Sequence, residues 1–329
     1  MRAWRVNELG HPSESLVLED VADPVPGPGE VAIRVEAGTI NFADILLCQG
    51  IYQDRPGVPF TPGLETCGVV EAAGEGVDLT PGTRIAGMAS LPAGGYGEKA
   101  LVRGWTALEM PSDIPAADAT VLYSTYQTSH VGLHHRAHLR DGEWLLVHAG
   151  AGGVGSAAVQ LGAAAGARVI ATAGGPAKLD ACREAGAHHV VDYLADDVYA
   201  SVMEITDGDG VDVAFDPVGG EVGELTRRLM AWEGRLVVVG FASGGIPSYP
   251  ANHVLVKNYS VLGLHWGAYV EHGGRPVIEA AHEDLLRLYR AGDIRPPITE
   301  AVPLDEVPRA LAALEARQVA GRLVVAPGG

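Results

Sequence analysis

The chain has 329 residues, of which 47% are hydrophobic and 19% are charged, and its formal net charge is −18. This length allows two domains with sizeable cores, and the composition is typical of a globular protein. The strong negative charge argues against nucleic acids and anionic membranes as partners. No apolar run reaches the ~20 residues of a membrane span, and the first residues lack an apolar signal-peptide core. Because the three cysteines are also widely separated, we expect a cytoplasmic protein.

The segment 1–123 alternates short β-like runs with turns rich in glycine and proline. In residues 30–37, for example, apolar and polar side chains alternate as they do in a strand with one buried face. Residues 42–49 predict a short helix that ends at Gly50. The segment is therefore expected to form a strand-rich, partly barrel-like domain.

A glycine-rich turn follows a short apolar strand within residues 144–155. In the G-x-G-x-x-G pattern of dinucleotide-binding turns, Gly150 permits a tight turn, Gly152 lets a pyrophosphate approach the backbone, and Gly155 lets the following helix pack closely. The N–H groups at the start of that helix would face the phosphates; a purely structural turn is the alternative. The predicted cofactor contacts of this turn are Gly150, Gly152, Gly153, Val154 and Gly155.

A helix over 156–165 and a second strand over 167–172 complete a βαβ unit around this turn. Further strand-like runs, alternating with helices, occur at 189–193, 211–216, 235–240 and 259–263. Repeated βα units predict an α/β fold with a doubly wound, mainly parallel sheet of the Rossmann type.

The domain organisation follows from these patterns. A helix over 122–140 would lead into the dinucleotide-binding domain, which we place at residues 124–267. Two amphipathic helices and a final strand at 322–325 would then return to the first domain. The catalytic domain is therefore expected to comprise residues 1–123 and 268–329.

Several motifs occur in a fixed order along the chain in addition to the glycine turn. They are Thr-Ile-Asn-Phe-Ala-Asp at 39–44, Gly-Ile-Tyr at 50–52, Pro-Phe-Thr-Pro-Gly-Leu-Glu at 59–65, Phe-Asp-Pro-Val-Gly-Gly at 215–220 and Ala-Gly-Arg-Leu-Val-Val at 320–325. With them the chain resembles the medium-chain dehydrogenase/reductase superfamily, in particular its zinc-free quinone oxidoreductase (zeta-crystallin-like) branch. The resemblance covers nearly the whole chain. It implies a GroES-like catalytic domain, a Rossmann domain and an NADPH-dependent reductase that forms a homodimer, with pairing through residues 260–263.

The resemblance raises the question of zinc, because related alcohol dehydrogenases bind it. Where those enzymes carry a cysteine and a Gly-His-Glu motif, this chain has Asn41 and Gly-Leu-Glu at 63–65. Leucine cannot bind a metal, so we expect no metal at this position. His130, His134 and His138 are spaced as ligands on one helix face, but no carboxylate or cysteine lies nearby in sequence. We interpret them as part of a partly exposed helix, with His130 lining the cleft.

The cofactor is expected to be NADPH. NAD-specific folds place an acidic residue about 20 positions beyond the glycines, whereas here no Asp or Glu follows the second strand until Asp180. A 2′-phosphate would therefore meet no like charge, and Lys178 could supply a positive one, unless it is simply a solvated helix residue. The family resemblance implies the same role for Lys178. The predicted contacts toward the phosphate and adenosine end are Thr172, Lys178, Tyr193 and Arg317.

The resemblance also implies contacts near the reacting groups. Asn41 and Thr128 would face the nicotinamide, Phe241 would cover it from the loop after a strand, and Ser243 would extend that loop as a further cofactor contact. Tyr52 and Asn41 are the candidate catalytic residues. Tyr52 would line the acceptor site and donate a hydrogen bond or proton, or else be an amphipathic residue at the domain edge. Asn41 could instead cap the helix after it.

Two other functions remain open. Leu46, Cys48 and His130 differ from the residues of some quinone reductases, and an enoyl-thioester or enone reductase would share the same motifs. In either case the partner is a small-molecule acceptor. A nucleotide-binding or RNA-binding structural protein is the alternative outside enzymes, since a Rossmann fold does not guarantee catalysis. The acidic charge argues against RNA.

Overall fold

The structure is a computed structural model that describes residues 1–328. The strands are β1 (Arg2–Val6), β2 (Leu16–Asp20), β3 (Glu30–Thr39), β4 (Glu65–Ala73), β5 (Arg84–Met88), β6 (Lys99–Arg103), β7 (Leu108–Glu109), β8 (Trp144–Val147), β9 (Arg168–Ala173), β10 (His189–Asp192), β11 (Val211–Asp216), β12 (Met230–Val238), β13 (Ser260–Gly263), β14 (Ile298–Val302) and β15 (Arg322–Val325). The α-helices are α1 (Pro12–Ser15), α2 (Phe42–Cys48), α3 (Ala116–Val121), α4 (Gln127–His130), α5 (Gly153–Ala164), α6 (Pro176–Glu184), α7 (Val198–Ile205), α8 (Gly220–Leu229), α9 (Ala251–Lys257), α10 (Arg275–Ala291) and α11 (Val307–Glu315). In this described part of the chain, no helix is both long and apolar enough to cross a membrane.

The chain divides into two compact units. The first consists of Met1–Ser124 and the chain from Pro296 onward, and the second of Thr125–Arg295. The sequence placed residues 268–295 in the first unit, whereas the structure places them in the second. The reason is α10, whose buried Ile278, Ala281 and Leu285 form the apolar face that packs against the helical segment around α4. Amphipathic periodicity predicts that a helix has a buried face, but not which unit receives it.

The second unit contains a six-stranded sheet in the order β10-β9-β8-β11-β12-β13. All of its strands are parallel. This is the strand order of a doubly wound dinucleotide-binding fold, so the predicted Rossmann architecture is confirmed. The central strands are buried apolar runs because helices cover the sheet.

The first unit is strand-rich. Its largest sheet has the order β14-β15-β3-β4-β5-β7, with β6 also paired to β3, and β1 and β2 form a separate antiparallel pair. The long strand β3 is the centre of this sheet, since β4, β6 and β15 all pair with it in antiparallel orientation. The final strand β15 lies beside the end of β3, with Val324 opposite Thr39. The predicted return of the chain to the first unit is therefore observed.

Leu146 tests the packing of the second unit. It is fully buried in β8, in a core cluster with Ile170, Ala214 and Leu236. We expect Leu146→Ala to lower the free energy of unfolding of this unit by about 2–5 kcal/mol, because the cavity cannot close completely. Leu194→Ala is the matched control, since Leu194 is 73% exposed and the change should stay within about 0.5 kcal/mol. Urea unfolding followed by circular dichroism measures both, and equal midpoints would contradict the assigned core.

Candidate active site

The glycine turn between β8 and α5 has a different backbone from the one predicted. The left-handed residue is Ala149, with φ of 51°, and not Gly150. A Cβ on Gly150 would lie 2.8 Å from Ala171 Cβ and 2.9 Å from Cys182 Sγ. Gly150 is therefore required because β9 and α6 pack closely against the turn, and the tight turn itself depends on Ala149.

Gly152 and Gly155 have the environments that the pattern predicts. A Cβ on Gly155 would lie 2.0 Å from the carbonyl oxygen of Ala149, so only glycine allows this close approach. A Cβ on Gly152 would make a tight contact with the same oxygen at 3.1 Å, while the next atom, Ala149 Cβ, lies at 3.9 Å, so the other sides of this backbone position are open. Gly153 and Val154, partly exposed, begin α5, where backbone N–H groups have no intrahelical acceptor. This helix start is suited to an anionic ligand.

Thr172 does not present its hydroxyl to a ligand. The hydroxyl is 3.0 Å from His148 Nδ1, and His148 Nε2 is 2.8 Å from Thr226 Oγ1, with all three side chains buried. Thr226 donates its hydrogen to the carbonyl of Val222 at 2.6 Å, so it accepts from His148 Nε2. His148 Nδ1 therefore accepts from Thr172, and burial lowers the pKa of His148. The Thr172 hydroxyl therefore lies inside the core, and the contact of Thr172 with the cofactor stays a prediction.

Lys178 and Tyr193 lie near the ends of adjacent strands β9 and β10. Lys178 is in the first turn of α6, which starts after β9, and Tyr193 follows β10 with its ring against Gly174, where a Cβ would lie 2.7 Å from ring Cζ. The structure adds Asp192, which sequence reasoning missed. Its Oδ1 accepts from the backbone N–H of Gly175 at 3.1 Å, so a carboxylate does lie close to the end of β9. Asp192 ends β10, so its position along the chain does not indicate that it lies beside the end of β9.

The remaining predicted contacts of the second unit lie on α4 and on the loop after β12. Thr128 is partly exposed, and the neighbouring Ser129 donates to the carbonyl of Val154 at 2.8 Å, which ties α4 to the start of α5. Phe241 is exposed and packs against Gly219, while Ser243 Oγ accepts from the N–H of Gly245 at 3.2 Å. These residues belong to the same unit as the glycine turn.

Asn41 connects β3 to α2 and takes part in a hydrogen-bonded network in the first unit. Its Nδ2 donates to Thr39 Oγ1 at 2.9 Å and to Glu65 Oε2 at 3.1 Å. Thr39 donates its own hydroxyl to the same Glu65 oxygen at 2.6 Å. Arg322 Nη2 donates to Asn41 Oδ1 at 2.5 Å. Sequence reasoning missed Arg322, although it lies in a motif that carries the family resemblance.

Asp44 supports the backbone of this network. It is fully buried, and its carboxylate accepts from the N–H of Asn41 at 2.9 Å, the N–H of Leu64 at 3.0 Å and the Tyr96 hydroxyl at 2.8 Å. Burial raises the pKa of Asp44 to about 6, against the opposing effect of these hydrogen bonds. Its three donors are all internal, so the geometry supports a positioning role for Asp44.

Tyr52 is half-buried against the cluster that contains Leu47 and Phe60. Burial raises the pKa of Tyr52 above its usual value near 10, and the charges of Glu65 and nearby aspartates raise it further. Tyr52 therefore remains a hydrogen-bond donor at neutral pH. Two exposed apolar side chains belong to the same part of the chain, Phe42 at 48% and Ile51 at 63% exposure.

Arg317 and the histidine group are the remaining candidates. Arg317 is exposed, follows α11 with a left-handed backbone and belongs to the first unit, unlike Lys178 and Tyr193. The helical segment that continues α4 ends at Arg136, and His138 follows it with φ of 49°, so His138 does not continue the face of His130 and His134.

His130 and His134 have their rings 4.6 Å apart, and His130 Nε2 is 2.9 Å from Asp284 Oδ2. A carboxylate is therefore present, contrary to the sequence argument, because α10 supplies it. Burial lowers the pKa of His130, and it lowers the pKa of His134 to about 4. Within residues 1–328, no group of three His, Cys, Asp or Glu side chains is arranged to hold a metal ion.

Comparison with known proteins shows which family the chain resembles over its length. The model of the alcohol dehydrogenase GroES-like domain matches residues 27–112, and that of the zinc-binding dehydrogenase domain matches residues 153–283. Quinone oxidoreductase-like protein 2 homolog of Nematostella vectensis is 38% identical over 328 residues, covering 98% of this chain and 88% of that protein.

Two solved structures share the fold. Escherichia coli quinone oxidoreductase complexed with NADPH has a TM-score of 0.90 and 28% identity, covering 99% of this chain and 100% of that chain. A 2-haloacrylate reductase has a TM-score of 0.88 and 28% identity, covering 100% of each chain. Together with the sheet order and the glycine turn, these findings show that the chain belongs to the quinone oxidoreductase-like branch of the medium-chain dehydrogenase/reductase superfamily.

Proposed function

We propose that this protein is an NADPH-dependent reductase that passes a hydride to a quinone or a related conjugated carbonyl compound without a zinc ion. The observation that carries the proposal is the group around Asn41. Asn41 and Leu64 stand where related zinc enzymes have a cysteine and a histidine, and Arg322 donates to Asn41 Oδ1 at 2.5 Å. A leucine side chain offers no lone pair and a guanidinium repels a cation, so these residues do not fit zinc.

The second unit has the features needed to bind NADPH. The space above Gly152 and the N–H groups at the start of α5 suit a pyrophosphate. Lys178 on α6 would supply the positive charge for the 2′-phosphate, and the ring of Tyr193 would lie along the adenosine end. Bound NADPH supplies the hydride. The protein holds the cofactor and the acceptor in the geometry that hydride transfer requires, and it excludes water.

The first unit has the features needed for the acceptor. Tyr52 is protonated at neutral pH and can donate to an oxygen that becomes negative during reduction. Phe42 and Ile51 offer exposed apolar surface of the kind that contacts a flat, non-polar molecule. Thr128 and Phe241 are proposed to contact the nicotinamide from the second unit, and Ser243 and Arg317 to contact the rest of the cofactor.

A second candidate function is reduction of a carbon–carbon double bond next to a carbonyl group. The structural similarity to a 2-haloacrylate reductase favours this possibility. In that case the hydride would go to carbon, and a donor such as Tyr52 would serve the resulting enolate. The proposed cofactor site is the same for both reactions, so the acceptor alone separates them.

Two further properties belong to the proposal. The edge strand β13 carries an exposed Val261, and Trp232 in the adjacent strand β12 is exposed as well, so a second copy could pair there and extend the sheet. Light scattering that gives a monomer at micromolar concentration would reject this homodimer. A cytoplasmic location is consistent with three buried cysteines that form no disulfide within residues 1–328.

The first test is NADPH oxidation by chelator-treated protein with a simple quinone and with a short enoyl thioester. We expect turnover of the quinone at an unchanged rate after metal removal, because no step is assigned to zinc. Turnover of the thioester alone, with its double bond reduced, would support the second candidate function. Loss of turnover on chelation with recovery on added zinc would overturn the metal-free assignment.

Lys178→Ala tests the cofactor preference. The affinity for NADPH should fall about 10- to 100-fold, because a charged hydrogen bond to the 2′-phosphate is lost, while the affinity for NADH should change little. Arg183→Ala is the matched control on the same helix, since Arg183 is exposed and pairs with Asp180 at 2.6 Å. Fluorescence titration measures each dissociation constant. An equal loss for both cofactors would remove Lys178 from the phosphate site.

Tyr52→Phe tests the proposed donor. We expect kcat to fall about 100-fold or more with an unchanged dissociation constant for NADPH, because the hydroxyl acts on the acceptor and not on the cofactor. Because the pKa of Tyr52 is raised, loss of its proton should not reduce the activity at any pH up to 9. Tyr199→Phe, in the other unit, serves as the control. Unchanged kcat in Tyr52→Phe would show that Tyr52 only lines the site.

A further inference from the structure

The hydrogen bonds around Asn41 determine the orientation of its carboxamide. Arg322 can only donate and Glu65 accepts, so the oxygen of Asn41 must face Arg322 and the nitrogen must face Glu65. Thr39 donates its only hydroxyl hydrogen to Glu65, so it accepts from Asn41. In the reverse orientation, the Asn41 NH₂ group would face the N–H groups of Arg322, and the Asn41 oxygen would face the carboxylate of Glu65.

The same network leaves one hydrogen of Asn41 Nδ2 uncommitted. The distances of 2.9 Å to Thr39 Oγ1, 3.1 Å to Glu65 Oε2 and 2.6 Å between these two acceptors form a triangle with an angle of about 50° at Nδ2. The two hydrogens of a planar amide diverge by about 120°. One hydrogen directed between Thr39 and Glu65 fits this angle better than two diverging ones, and the other hydrogen then points away from both.

Arg322 is a cation held in place by the fold. It begins β15, whose pairing with β3 sets Val324 opposite Thr39. Burial lowers the pKa of Arg322, and the carboxylates of Glu65 and Asp44 oppose this effect. Its Nε is buried and donates to no acceptor within residues 1–328. The guanidinium therefore has one unused donor, and its charge acts at short range on the Asn41 carboxamide.

We propose that Arg322 is a positioning residue that acts through Asn41. Its guanidinium holds Asn41 Oδ1 and polarises the carboxamide, so that the uncommitted Nδ2 hydrogen is presented as a strong donor to a carbonyl oxygen of the bound ligand. This inference rests on the proposed function. The oxygen belongs either to the nicotinamide carboxamide of NADPH or to the acceptor. In the second case the donor stabilises the negative charge that develops on that oxygen as the hydride arrives.

A double-mutant cycle tests whether Arg322 acts through Asn41. We expect Arg322→Gln to lower either the affinity for NADPH or the single-turnover rate of hydride transfer at least 10-fold. In the Asn41→Ala background the same change should have less than a 2-fold effect, because the residue that transmits it is absent. Arg322→Lys, which keeps the charge, should recover part of the loss. Arg34→Gln is the control, because Arg34 is exposed and its ion pair with Glu36 is long, at 3.8 Å.

A cofactor fragment separates the two ligand oxygens and reports on folding. 2′-Phospho-ADP-ribose lacks the nicotinamide, so its affinity should be unchanged in every variant that is folded. Weaker NADPH binding with unchanged fragment binding assigns the oxygen to the nicotinamide. Unchanged NADPH binding with slower hydride transfer assigns it to the acceptor.

If Arg322→Gln has the same fold effect in the unmodified protein and in the Asn41→Ala variant, the inference is overturned, because Arg322 then acts independently of Asn41. If Arg322→Gln does not fold, the cycle with Arg322→Lys decides in the same way. Absence of NADPH binding by the unmodified protein would instead reject the proposed function. The two failures are therefore distinguishable.

Discussion

The first unit depends on the pairing of its last strand with β3. This pairing joins chain segments that are far apart in sequence, and it brings Arg322 within 2.5 Å of Asn41, 281 residues away. Burying a guanidinium is unfavourable unless acceptors surround it, and here Asn41 Oδ1 accepts while Glu65 and Asp44 supply negative charge. The network therefore restricts the conformation of the loop that carries Asn41. A change in any one member would leave a charged or polar group without its partner, which costs more than the bond itself.

An equivalent constraint operates beneath the glycine turn of the second unit. His148, Thr172 and Thr226 are buried, and each hydrogen in the chain of contacts has one acceptor. The chain links the ends of β8 and β9 to α8, and the turn begins at the residue after His148. The network therefore fixes the strand ends from which the turn starts, while the N–H groups at the start of α5 are available to a ligand because the first turn of a helix has no intrahelical acceptors for them.

The sequence predicted those features that depend on neighbouring residues. The strands of the parallel sheet and the glycine turn are local patterns, and both were recognised. Contacts between distant segments were not predictable in this way: Arg322 with Asn41, and Asp284 with His130. The conformation at Ala149 was also missed, because the motif assigns the turn to glycine, whereas packing against Cys182 explains Gly150. The end of the second unit at Arg295 depends on which unit α10 packs against, and the hydrophobic periodicity of α10 does not indicate that unit.

In the proposed function, the group around Asn41 takes the role that a metal ion has in the zinc enzymes of this superfamily. A zinc ion would stabilise a developing negative charge by direct coordination. Here the Arg322 guanidinium would polarise the Asn41 carboxamide. The Asn41 N–H would then stabilise the negative charge through a hydrogen bond whose direction is set by the protein. Such a donor is weaker than a metal but requires no ion to be bound, and it is already oriented before the ligand arrives. This chemistry suits an acceptor that is itself strongly electrophilic, such as a quinone or a conjugated carbonyl, because less stabilisation is then required of the protein.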